Sequence, residues 1–261
     1  MPNDDSNSLI ATWRGGAAAL VLVASPLLLA ALPAHAADET ASAAIAGFSG
    51  AAPGEPPAAW KFVTLPNKTP TRFSIVELGG ARVLKVEADE SYGNLVHAMH
   101  VQIGEKAALA WRWRVDKLVE DADLKTRSGD DAAAKLCVFF AFDAAKLSLG
   151  ERTKLAIGRS TTGQDVPTET LCYVWDNKLP IDTGLTNAFT KRIRMIVLQS
   201  GAGKLGQWVT QRRSLVADYQ RMFADESEGK VPEVVGVAVS ADADNTHGHG
   251  LAYFGDVTLT P

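Results

Sequence analysis

Leu109-Ala110-Trp111-Arg112-Trp113-Arg114-Val115 alternates without a slip. Leu109, both indoles and Val115 fall on one side, and Ala110, Arg112 and Arg114 on the other. That period of two marks a strand with one dry or ligand-facing side. Further along, residues 135–142 are nearly all apolar, as in a central strand covered on both faces. Upstream, 72–77 and 81–87 flank Gly79-Gly80, which is a hairpin signal. More strands are expected at 170–175, 192–199, 207–211, 233–240 and 251–259. Helical patterning is scarce. One helix is expected from Asp143 towards Ile157, weakened by Gly150, and another over 215–224, with Leu215, Tyr219, Met222 and Phe223 on one side. Many strands, two short helices and no βαβ rhythm predict an all-β-dominated antiparallel sandwich of jelly-roll type.

The beginning of the chain is a different material. Arg14 precedes an apolar run from Ala17 to Leu32, interrupted only by Ser25 and Pro26. Ala34-His35-Ala36 then has the small-x-small form cut by signal peptidase. Residues 1–36 therefore read as a signal peptide, 37–44 as a flexible leader, and 45–261 as one sandwich domain. An uncleaved anchor is the competing reading, since the run is near spanning length; Pro26 and Pro33 count against it. Cleavage would leave no stable membrane insertion, and the expected location is the periplasm or beyond.

The 261 residues carry a formal net charge of −4, without the basic stripe that nucleic acid demands or a polybasic membrane-surface segment. Export also bears on Cys137 and Cys172, the only cysteines. An oxidising compartment lets them pair, which would contribute about 3–4 kcal/mol in the chain-entropy picture. Two buried thiols are the alternative, and geometry decides between them.

Several catalytic signatures fail. Ser200-Gly201-Ala202-Gly203-Lys204 lacks the first glycine and the metal-binding hydroxyl of a phosphate loop. Gly158-Arg159-Ser160 is not followed by the spacing of a nucleophile elbow. Asp242-Ala243-Asp244 starts like a helix–loop–helix calcium site, but His247 and Tyr253 stand where Gly and Glu belong. His97 and His100, at odd spacing on a strand, point to opposite faces and make poor joint ligands.

Three groups of residues remain as candidates. The loop from Ser240 to Gly250 crowds Asp242, Asp244, Asn245, His247 and His249 among glycines, with Asp256 beyond it. Such oxygen density could hold calcium at Asp242, Asp244, Asn245 and Asp256, or could be an Asx-rich turn satisfying its own backbone. Trp111, Trp113, Tyr173, Trp175 and Trp208 could offer flat faces to sugar rings, or fill the core. Asp130, Asp131 and Asp218 could bond sugar hydroxyls or do acid–base work, or be solvated turn and helix-end charges.

Taken in order, Trp111-Arg112-Trp113, Asp130-Asp131, Tyr173-Val174-Trp175, Leu198-Gln199-Ser200-Gly201, Gln207-Trp208, Asp218-Tyr219, Asp242-Ala243-Asp244-Asn245 and Ala252-Tyr253-Phe254-Gly255-Asp256 resemble an exported bacterial family catalogued as domain of unknown function 3047. The closing segments also resemble jelly-roll sugar-binding domains, an analogy of fold. The resemblance implies export and supplies no activity. The leading expectation is a periplasmic, non-catalytic protein binding a carbohydrate or cell-envelope glycan. The alternatives are a hydrolase or lyase acting on such a polymer, and an assembly module binding another envelope protein.

Overall fold

Gly79 and Gly80 turn the chain with φ of 63° and 78°, a conformation that side-chain-bearing residues rarely adopt. The hairpin they close joins β3 to β4 in the computed structural model, which describes residues 44–142 and 169–261. In chain order the strands are β1 (Trp60–Val63), β2 (Thr69–Pro70), β3 (Arg72–Leu78), β4 (Ala81–Asp89), β5 (Ser91–Val101), β6 (Ala108–Lys117) and β7 (Ala132–Phe140). There follow β8 (Glu169–Asp176), β9 (Gly184–Thr186), β10 (Ile193–Ser200), β11 (Val209–Ser214), helix α1 (Leu215–Met222), β12 (Val234–Asp242), β13 (His249–Phe254) and β14 (Thr258–Thr260).

Two sheets result. The larger runs β1-β5-β12-β7-β8-β10-β9, with β2 added to β5; the smaller runs β11-β6-β13-β4-β3, with β14 added to β6. The expected sandwich is present, and most pairs are antiparallel. Two are not: β8 with β10 and β2 with β5 run parallel. The stretch between β8 and β10 is long enough to return in the same direction, and on the way it lays β9 antiparallel along the edge of β10.

The main core lies between the sheets. Leu109, Trp111, Trp113 and Val115 of β6 meet Leu136 and Val138 of β7 and Tyr173 and Trp175 of β8 there. The rings interlock: Trp111 lies 5.2 Å from Tyr173, and Trp113 lies 6.0 Å from both Trp175 and Phe254, centroid to centroid. Rings of this size each remove about 150–250 Å² from water, so this layer is a principal source of stability.

The larger sheet also buries part of its opposite face. Cys137, Cys172, Val174, Met195, Val197 and Ala238 form a second apolar cluster there. Cys137 and Cys172 oppose each other across β7 and β8, their Cα atoms 4.0 Å apart, and are bridged.

Helix α1 starts at Ser214, whose hydroxyl accepts from the Ala217 N–H. It is the one α-helix among the described residues. The helix expected from Asp143, the signal peptide and all of the leader except Ala44 lie outside them. Among the described residues no helix is long and apolar enough to cross a membrane.

Candidate functional site

Strand alternation sorts β12 cleanly. Val237, Val239 and Ala241 enter the main core, so Ala238, Ser240 and Asp242 face the other way. On β7 the same parity sends Lys135 and Cys137 to that outer face, and β5 adds Tyr92 and Asn94, opposite Asp242 and Ser240. Because the first residue of β7, Ala132, pairs with Asp242 near the end of β12, the antiparallel register brings Asp130-Asp131 beside Asp242-Ala243-Asp244-Asn245. Two acidic stretches more than a hundred residues apart thus become one cluster.

The bonds within it are unequal. The Lys135 ammonium donates to Asp242 Oδ2, and the Ala132 N–H donates to Asp242 Oδ1 at 2.8 Å. Asp131 is saturated: it accepts from both nitrogens of Asn245 and from the Thr246 N–H and hydroxyl, the last two at 2.7 Å. It clamps the turn after β12. Asp130 accepts from the Asn187 amide at 2.6 Å through Oδ2, and Asp244 pairs with Lys68. The Oδ1 atoms of Asp130 and Asp244 are buried and have no hydrogen-bond partner among the described residues. Buried polar atoms left this way are uncommon.

Burial pushes the Asp242 carboxyl up to about 6, against the Lys135 charge and helped by Asp131 and Asp130. Burial also works against the Lys135 ammonium, but Asp242 and Asp130 overcome it and hold the group above the ordinary lysine range. Burial raises the Tyr92 phenol, while Asn94, donating to its oxygen at 3.2 Å, partly offsets this. Among the described residues, no group of three or more His, Cys, Asp or Glu side chains is arranged to hold a metal ion. Asp256 lies elsewhere, accepting from the Phe48 and Ser49 N–H groups and the Ser49 hydroxyl.

The remaining candidates scatter. Trp111, Trp113 and Trp175 are 3%, 0% and 1% exposed, so they are not platforms for a ligand. Tyr173 is sealed as well and donates to Asp218, which the Arg213 guanidinium grips through both oxygens. Burial, then Asp218, holds the Tyr173 phenol well above its usual range. This network ties β8 to β11 and α1 inside the sandwich, away from the outer face. Trp208 is half-buried on the smaller sheet beneath the Arg112 guanidinium, 4.7 Å from its ring centroid.

The sequence reading passed over Lys135, Tyr92, Asn94, Asn187 and Lys68. Lys135 had a signal. It is the lone charge in Ala-Ala-Ala-Lys-Leu-Cys-Val-Phe-Phe, and a lysine buried in such a run requires an acid nearby.

The fold and site together define a two-sheet β-sandwich with a buried acid–lysine cluster on the outer face of its larger sheet. The chain matches the family described as "Protein of unknown function (DUF3047)" over residues 58–258, and it belongs to that family. No curated protein matches the sequence. Similar solved structures include a family 12 xyloglucanase from Bacillus licheniformis, 9% identical over 75% of this chain and 89% of that one, TM-score 0.39. The xyloglucanase domain of NopAA, a type three effector from Sinorhizobium fredii, is 9% identical over 77% and 92%, TM-score 0.39. Endoglucanase 3 of Trichoderma harzianum is 10% identical over 79% and 99%, TM-score 0.35. Such values lie below the range from which shared chemistry follows. The expectation of a non-catalytic glycan-binding protein is nevertheless corrected. Three of its four tryptophan platforms, Trp111, Trp113 and Trp175, are inside the sandwich and unable to meet a ligand.

Proposed function

We propose that this protein is an exported glycan hydrolase, working in the periplasm through the outer face of its larger sheet. One observation carries the reading: Asp242, with its carboxyl raised to about 6, shares a cluster with Asp130, which keeps one oxygen without a partner. Glycoside hydrolysis needs two carboxyl groups in unlike environments, one able to give a proton near neutral pH and one able to stay ionised. Asp242 is the proton donor in this reading and Asp130 its partner. Charge favours a hydrolase over a lyase. A lyase must neutralise the carboxylate of an acidic sugar, whereas Lys135 and Lys68 are already engaged by Asp242 and Asp244. On this reading the substrate is a neutral glycan. Export rests on Arg14, the apolar run after it and Ala34-His35-Ala36.

The test is release of reducing ends from a panel of neutral polysaccharides. Asp242→Asn should lower the rate about 100-fold or more with the fold intact. No release from any neutral glycan by the folded wild type would reject the reading, and unsaturated product ends from a uronic-acid polysaccharide assayed in parallel would replace hydrolysis by elimination.

A further inference from the structure

At the β1 edge of the larger sheet, β1 and β3 bring an edge of each sheet together around a groove of about 350 Å³, towards the small end of the range for small-molecule sites. Three aromatic rings line it: Trp60 and Phe62 from β1, and Phe73 from β3. The rings of Phe62 and Phe73 stand 5.9 Å apart at 58°. Gly93 permits this approach, since a Cβ there would come within 2.9 Å of Phe62 and 3.3 Å of Phe73. Phe62 is 42% exposed, so its ring is open to a ligand entering the groove.

The polar inventory of the groove is one-sided. Glu55 is its single charged residue, and no partner engages its carboxylate among the described residues. The loop bearing it is fastened to β3 by reciprocal backbone bonds between Gly54 and Ile75, at 3.0 and 2.7 Å, which anchors the backbone beside Glu55. Every other polar side chain lining the groove is occupied. Trp60 Nε1 donates to the Ala46 carbonyl at 2.8 Å, and the Thr71 hydroxyl to the Ala241 carbonyl at 3.0 Å. Pro56 and Pro70 have no N–H to offer, and Leu95 adds only methyl groups. The groove thus presents ring surface and one negative charge, with no free side-chain donor. Anions need donors and find none, and a sugar would find only the Glu55 carboxylate to accept from its hydroxyls. A primary ammonium brings three N–H groups and meets a single carboxylate. A quaternary ammonium brings methyl groups and a diffuse positive charge, and requires neither donor nor acceptor. Aromatic faces attract such a cation through their quadrupole, and a carboxylate supplies the counter-charge.

We propose that this groove binds a quaternary ammonium group, with Phe62 and Phe73 as its walls and Glu55 as its counter-ion. The site shares no residue with the Asp242 cluster but borders it, since Thr71 bonds the Ala241 carbonyl and Pro70 pairs with Tyr92.

Calorimetric titration of the full chain with choline chloride tests it, against two controls: the neutral isostere in which tert-butyl replaces trimethylammonium, and ethanolamine. Choline should bind about tenfold tighter than either control. Phe62→Ala and Glu55→Gln should each weaken choline about tenfold, with thermal melts confirming that the variants fold. Equal binding of choline and its isostere, unchanged affinity in either variant, or no binding of choline overturns the proposal. Cosedimentation with phosphatidylcholine vesicles, competed by free choline, would support it and place the group on a lipid headgroup. Choline binding without vesicle association would support it and assign a soluble ligand.

Discussion

The two faces of the larger sheet use the same strands for opposite ends. Towards the smaller sheet, Tyr173, Trp175, Leu136 and Val239 join a layer with Trp111 and Trp113. On the outer side, one residue along each strand, Lys135 and Asp242 sit with Tyr92 and Asn94. One face holds the molecule together by packing; the other holds charges whose burial is destabilising unless each is paired. The difference teaches that the rings and the acids, adjacent in sequence pattern, have separate duties. The sharpest way to break that division is to empty the ring layer. Trp113→Ala removes a side chain with no exposure and should cost about 3–5 kcal/mol in urea unfolding. A loss below about 1 kcal/mol would mean that the layer is not the structural face.

The contrast was only half legible in the sequence. Alternation in β6 showed that Trp111 and Trp113 share a side, but period two does not tell which side is inside. The acids were visible as Asp130-Asp131 and Asp242-Ala243-Asp244-Asn245, yet their meeting depends on the β7–β12 register, a long-range fact without local signature. Strand β5 was hard to delimit for a related reason. Gly93 and Asn94 weaken its strand propensity, and Gly93 is required by the rings of Phe62 and Phe73, which come from two different sheets. The hairpin at Gly79-Gly80 and helix α1 were readable because their determinants are local.

A second test addresses the outer face through pH. The Asp242 carboxyl titrates at about 6 in the fold, above its ordinary 3.8. Its contribution is therefore present below about pH 4 and lost as pH rises through 6, because the unfolded chain gives up this proton first. Lys135, raised from an already high value, stays charged throughout that window and adds no slope. Glu169, also raised by burial, acts in the same direction as Asp242. Unfolding free energy should thus fall between pH 4 and 6, by at most about 3 kcal/mol from Asp242, at 1.4 kcal/mol per unit. Asp242→Asn should flatten that part of the profile. An identical slope in the variant would show that Asp242 titrates normally, and the acid–base reading would fall with it.

The smallest expected effect lies on the third face, the outer side of the smaller sheet. There Trp208 stacks under Arg112 at 4.7 Å, partly exposed, with its indole in neither the core nor the acid cluster. A cation–π pair this exposed is worth about 0.5–1 kcal/mol, so Trp208→Ala should shift urea unfolding by no more than that. Glycan cleavage should not change, since the ring sits on the sheet opposite Asp242. A variant that unfolds normally but no longer cleaves would move the substrate to the smaller sheet, and would detach the buried carboxyl from the chemistry assigned to it.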